Sequence, residues 1–237
     1  LTLCVPSAFA NQDDFIPKIQ ISSEQVENYK SKGLSDERIS QLTLNDIEIL
    51  DTIDKGNIIG FSEKYLEIIV DHENEKTEKK EVTREEAYKK AAEYKKMKQM
   101  QKTQSPNADN GIDLNSEVGR NEVVTPSWMR LTVWIVHWGN KEYTLYNGFE
   151  WLSDPAVTLT DVIGLTHEGD VSINQNTEML TYRYDRYISD PSNIVDTRTK
   201  YYFTAHQKNN DGYAFKFDIL GSDSGYGVTN NRGHMQY

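Results

Sequence analysis

The feature that most limits what this chain can fold into is the strict alternation between Trp128 and Trp138. One side of the run reads Met129, Leu131, Val133 and Ile135, and the other reads Trp128, Arg130, Thr132, Trp134, Val136 and Trp138. Side chains two residues apart share a face in a strand but not in a helix, so the run is a β-strand with both faces charged with structural work. Gly139-Asn140 turns the chain, and Tyr143, Leu145, Phe149 and Trp151 continue the pattern. Further strand-like runs cover 157–166, 178–188, 200–207 and 213–220, the last two flanking the turn signal Asn209-Asn210-Asp211-Gly212. Short strands with turn residues between them and no helical period predict an antiparallel sandwich-like or barrel-like domain over 128–237. Gly225-Tyr226-Gly227 opens one more strand, which as a sheet edge ending at Tyr237 would be unprotected, so more chain is expected beyond it.

The first half reads differently. Ser22 with Gln25 forms a capping-box pattern ahead of Val26 and Tyr29, and Gly33 is a natural stop. Ser35-Asp36-Glu37 starts a second turn, and Thr43 caps a stretch carrying Leu44, Ile47 and Leu50 at helical spacing. Tyr65, Leu66, Ile69 and Val70 suggest another helix from Ser62, and Thr83 with Glu86 restarts one with the narrow stripe Ala87, Ala91, Tyr94 and Met97. That stripe falls short of a coiled coil and fits a helix leaning on the β region. The fold class expected is therefore α+β: a helical, charged region over 11–103, a turn-rich linker over 104–127 and the β domain.

The opening decapeptide, Leu1 to Ala10, reads as the end of a secretion signal. Ala8-Phe9-Ala10 places small residues where signal peptidase requires them, with polar Asn11-Gln12 following, so the mature protein is expected to begin at Asn11 outside the cytoplasm. Cys4 is the chain's one cysteine, and Leu3 before it does not suit a lipid-attachment site. A mature chain without cysteine has neither disulfides nor thiolate chemistry and must fold on its core alone. With 26 basic and 37 acidic residues the net charge is −11. Such a chain repels phosphate backbones, which argues against nucleic acid as a partner, and no later run approaches a membrane span. The partners expected are an extracellular protein or a cell-envelope glycan.

Two sites stand out. Trp128, Trp134 and Trp138 with Arg130 would form an aromatic binding face if open to solvent, and an inter-element core if the N-terminal helices lie over it. Asp161 is out of place: Val157, Leu159, Asp161, Ile163 and Leu165 put a carboxylate on an apolar face, where it requires a partner such as Arg183 or Arg186. In an extracellular polymer hydrolase, Asp161 or Glu150 would be the acid or base. Asp223-Ser224-Gly225 echoes a protease nucleophile turn, but its flanks, Ser222 and Tyr226, do not fit one. His137, His167, His206 and His234 have no metal-ligand spacing, and aligning Gly111 with the glycine of a calcium loop puts Pro106 and Ala108 at ligand positions. No cofactor is called for, and no catalytic residue is assigned.

The segments Phe149-Glu150-Trp151-Leu152-Ser153-Asp154-Pro155 and Thr160-Asp161-Val162-Ile163-Gly164, with Gly33-Leu34-Ser35-Asp36-Glu37 upstream, resemble exported proteins of Gram-positive bacteria that carry no assigned activity. The resemblance implies export and a β-rich C-terminal domain, and no reaction. The reading is a secreted or envelope-associated binding module, with the hydrolase as its alternative.

Overall fold

The structure is a computed structural model that describes residues 16–17, 19–103, 124–155, 160–168, 172–174, 176–209 and 211–237. The decapeptide, the calcium-like loop at 109–115 and most of the expected linker lie outside the described residues.

Three short helices come first among the described residues: α1 (Ser23–Ser31), α2 (Asp36–Ser40) and α3 (Leu44–Leu50). Their starts are the expected ones. Ser22 and Gln25 close a capping box on α1, Ser35 caps α2, and Thr43 closes a box on α3 with Asp46. Gly33, at φ +96°, ends α1 in the left-handed region that glycine enters without strain.

The next segment overturns the expected helix from Ser62. Residues Asn57–Asp71 form β1 and Lys76–Val82 form β2, an antiparallel hairpin. Tyr65, Leu66, Ile69 and Val70 fit helical spacing, but β1 is rich in β-branched residues and gains a full ladder with its neighbour in the sheet, which outweighs local preference. The helix α4 (Arg84–Thr103) then begins where Thr83 predicts, with the Glu86 backbone N–H donating to Thr83 Oγ1 at 3.2 Å.

The strands that follow are β3 (Val124–Gly139), β4 (Glu142–Trp151), β5 (Thr160–Thr166), β6 (Met179–Tyr187), β7 (Ile194–Tyr202), β8 (Gln207–Asn209), β9 (Gly212–Asp218), β10 (Ser222–Asp223) and β11 (Tyr226–Gln236). The expected 200–207 strand is split, its start completing β7 and its end forming β8. The large sheet runs β2-β1-β3-β4-β11-β6-β7 with β10 on β11, and the small one runs β5-β9-β8, every pairing antiparallel. The result is a β-rich α+β fold in which neither sheet closes into a barrel.

Two further expectations change. The compositional boundary near 104–127 is not a boundary in the sheet, because β1 from before it pairs with β3 from after it along Asn57↔His137 to Asp71↔Val124. The last strand is not an edge: β11 lies between β4 and β6.

Both faces of the large sheet are covered in part. On one, α1 to α3 bury Tyr29, Ile49, Leu50 and Ile53 against Trp134 and Val136, while α4 packs Ala87, Tyr88 and Ala91 against Tyr65 and Trp128. Complete burial of a side chain such as Leu50 is worth roughly 1.5–3 kcal/mol, and this holds helices too short to persist alone. On the other face the small sheet sits over β4, β6 and β11, with Phe217 against Phe149 (ring centroids 5.2 Å) and Tyr182 (5.4 Å).

Candidate functional site

The indole face is largely covered. Trp134 is fully buried with Phe61 at 4.3 Å, Trp128 meets Tyr94 of α4 at 5.8 Å, and only Trp138, at the β3–β4 hairpin, is exposed. Trp138 points its Nε1 at Thr144 Oγ1, 2.8 Å away. The three indoles therefore do not make one open surface, and Arg130 between them is buried too.

Arg130 instead anchors an ionic cluster beneath the helices. Its Nη2 lies 2.8 Å from Asp46 Oδ2 and 2.9 Å from Glu63 Oε2, and its Nη1 donates to Thr43 Oγ1 at 3.0 Å. Burial alone would lower the guanidinium pKa, but Asp46 and Glu150 hold it well above its ordinary value. Arg38 joins the cluster, 3.6 Å from Asp46 and stacked 3.5 Å over the Phe61 ring. Glu150 belongs to this cluster, 3.6 Å from Arg130, with its carboxyl pushed up by burial. It lies across the ladder from Arg130 and Arg232, on the helix-covered face.

The expected partners of Asp161 are engaged elsewhere. Arg183 pairs with Glu48 at 3.3 Å, and Arg186 pairs with Asp196 at 2.6 Å, with Asp223 3.6 Å away. Asp223-Ser224-Gly225 forms the tight turn between β10 and β11, where Ser224 Oγ donates to Asp223 at 3.1 Å and Tyr184 Oη donates to the same carboxylate at 3.0 Å. This is a hairpin turn with its acid already bound, not a nucleophile site.

Asp161 stands in a cleft of about 520 Å³ where the small sheet meets the free part of the large one. Met129 and Leu131 of β3 and Phe149 and Trp151 of β4 form one wall. These are the alternation's other face, turned away from the helices. Ile163, Phe217 and Ile219 form the opposite wall, and Ile68 and Val70 extend the first one along β1. The mouth carries Asp71, His72, Glu75 and Lys79.

Within the cleft the Asp161 carboxyl is partly desolvated, and this raises its pKa; Lys79 acts in the opposite direction without overcoming it. Among the described residues no cation lies within the 4.0 Å of an ion pair with Asp161. Trp151 presents a buried Nε1–H that also lacks an acceptor among the described residues. A cleft with apolar walls that holds a carboxylate with no ion-pair partner among the described residues has the make-up of a ligand site rather than of a packed core.

Sequence reasoning found Asp161 through its break in the apolar pattern and missed the walls around it. Met129 and Leu131 were visible as the second face of β3, whereas Ile68, Val70 and Lys79 were hidden by the helical reading of β1. The signal that could have placed them is the β-branched density of Ile68-Ile69-Val70.

Among the described residues no helix is long and apolar enough to cross a membrane. No family model, curated protein or solved structure matches this chain.

Proposed function

We propose that this chain is an exported, non-enzymatic binding protein whose binding surface is the cleft around Asp161. The observation that carries the reading is the pairing of apolar walls with a desolvated, unpaired carboxylate in a space of ligand size. The facing sheets are read as a sandwich-like pair of layers, with the cleft as the part of the interlayer space that the small sheet leaves unfilled. Export is supported by Ala8-Phe9-Ala10 and by the absence of cysteine after Cys4. Resemblance to exported proteins of Gram-positive bacteria points the same way.

The hydrolase reading retains one supporting observation, since a raised carboxyl pKa suits a general acid. Glu150, the alternative acid or base for that chemistry, lies on the other face of the sheet beside Arg130, which leaves Asp161 to carry the hydrolase reading.

Two measurements test this. Met129→Trp, which fills the cleft, should abolish retention of apolar small molecules while the far-ultraviolet circular dichroism stays native. Retention unchanged by the filled cleft would remove the cleft from the proposal, and release of reducing ends from a cell-wall polymer, lost in Asp161→Asn, would favour the hydrolase. Secreted material beginning at Asn11 supports export, and material beginning at Leu1 opposes it.

A further inference from the structure

We propose that the cleft between the two sheets selects an organic cation: a free small-molecule amine whose apolar body lies between Leu131, Trp151 and Phe217 and whose ammonium group meets Asp161. The inference rests on the cleft being a binding site and adds the chemistry of its ligand.

Charge and geometry support the same choice. Asp161 is placed by β5, beside Ile163, on the inner side of the cleft, and among the described residues it has no ion-pair partner, Lys79 offsetting its negative charge only in part from further away. Desolvation raises the carboxyl pKa, so the ionised form is held at a cost that an arriving ammonium group removes by supplying both opposite charge and N–H donors. A neutral ligand of the same body gains only the apolar walls, and a carboxylate ligand brings a second negative charge beside the first. The mouth reinforces the selection, since it carries the carboxylates Asp71 and Glu75 beside one lysine, Lys79, and His72. Lys79 is solvent-exposed and stands outside ion-pair distance of Asp161, so it does not fill the place of the cation. The net charge of −11 biases approach toward cations over longer distances.

The cleft's size limits the ligand. About 520 Å³ lies within the range that accommodates a drug-sized molecule and is too small for a folded partner.

The test compares three probes with the same tail, decylamine, decanol and decanoate, titrated into the whole protein at pH 7 and physiological salt by calorimetry. Decylamine should bind saturably and about ten-fold or more tightly than decanol, as expected for a charge-assisted hydrogen bond, with decanoate weakest. In Asp161→Asn the amine should fall to the affinity of the alcohol, while decanol binding stays as in the parent protein. Asp71→Asn at the mouth should retain most of the preference. Equal binding of decylamine and decanol by the parent protein overturns the cation proposal and leaves the cleft as an apolar site. Failure of all three to bind overturns the cleft itself. The parent-protein comparison decides the matter even where Asp161→Asn does not fold.

Discussion

Arg130 and Asp46 meet at 2.8 Å with neither side chain exposed to solvent, joining the centre of β3 to the first turn of α3. The pair does more than neutralise charge. Asp46 also closes the capping box of α3 through Thr43, and Thr43 accepts from Arg130, so helix start and sheet face share one hydrogen-bonded unit. Breaking a buried ion pair costs up to about 3–5 kcal/mol, and here Glu63 and Glu150 remain beside Arg130 to limit the loss. Asp46→Ala should therefore lower stability by that order in urea unfolding. Arg130→Met combined with Asp46→Leu should cost less than the sum of the single changes, because the two residues share one ion pair, while Glu63 and Glu150 still lose Arg130.

Gly148 fixes how closely α3 approaches the sheet. A Cβ there would collide with Thr132 Oγ1 and sit 3.1 Å from both Asn45 Nδ2 and Ile49 Cδ1. Asn45 uses that closeness to donate to the carbonyls of Phe149 (3.2 Å) and Gly233 (3.3 Å). Gly148→Ala should destabilise by roughly 1–3 kcal/mol through overpacking, and Thr132→Ala in the same chain should recover part of the loss. Thermal unfolding of the two single variants and the double variant measures the coupling.

Asp161 should cost stability in the ligand-free protein. Its carboxyl pKa is raised above the ordinary 3.8 by burial, so the folded state holds the proton more tightly than the unfolded state does. The favourable contribution is present below pH 3.8 and is lost as pH rises through the folded-state value. At pH 7 the ionised group opposes folding, and Asp161→Asn should raise the urea midpoint while weakening amine binding. A lower midpoint in that variant would mark Asp161 as a structural carboxylate.

What could be read in advance depended on whether local pattern or long-range pairing decided each element. The caps at Ser22, Ser35, Thr43 and Thr83 are local chemistry, and the four helices among the described residues begin beside them. The two faces of β3 were equally plain, and so was the chance that helices cover its indoles. By contrast, β1 has an apolar spacing that fits a helix and becomes a strand because β2 and β3 pair with it on both sides. The central place of β11 is likewise a property of the topology, since a strand read alone does not reveal its neighbours. At the candidate site, Asp161 was found because a carboxylate interrupts an apolar face. Its surroundings were not, because they come from β1, β3, β4 and β9, elements distant in sequence that the fold brings together.

His234 should make the fold sensitive to mild acid. The ring is buried on the helix-facing side of β11, 5.9 Å from Tyr146, and neither nitrogen has a hydrogen-bond partner among the described residues. Burial, with the positive charge of Arg183 nearby, lowers its pKa from 6.5 to about 3. The unfolded chain therefore takes up a proton below pH 6.5 that the folded chain refuses, and the stability present above that value is lost as pH falls toward 3. One such group changes stability by up to about 1.4 kcal/mol per pH unit, or about 2 kcal/mol between pH 6.5 and 5. His234→Gln removes the titration, whatever it does to stability at neutral pH. Urea midpoints measured in steps from pH 7 to pH 5 should slope less steeply in the variant than in the parent, and parallel slopes would show that His234 is reached by protons without unfolding.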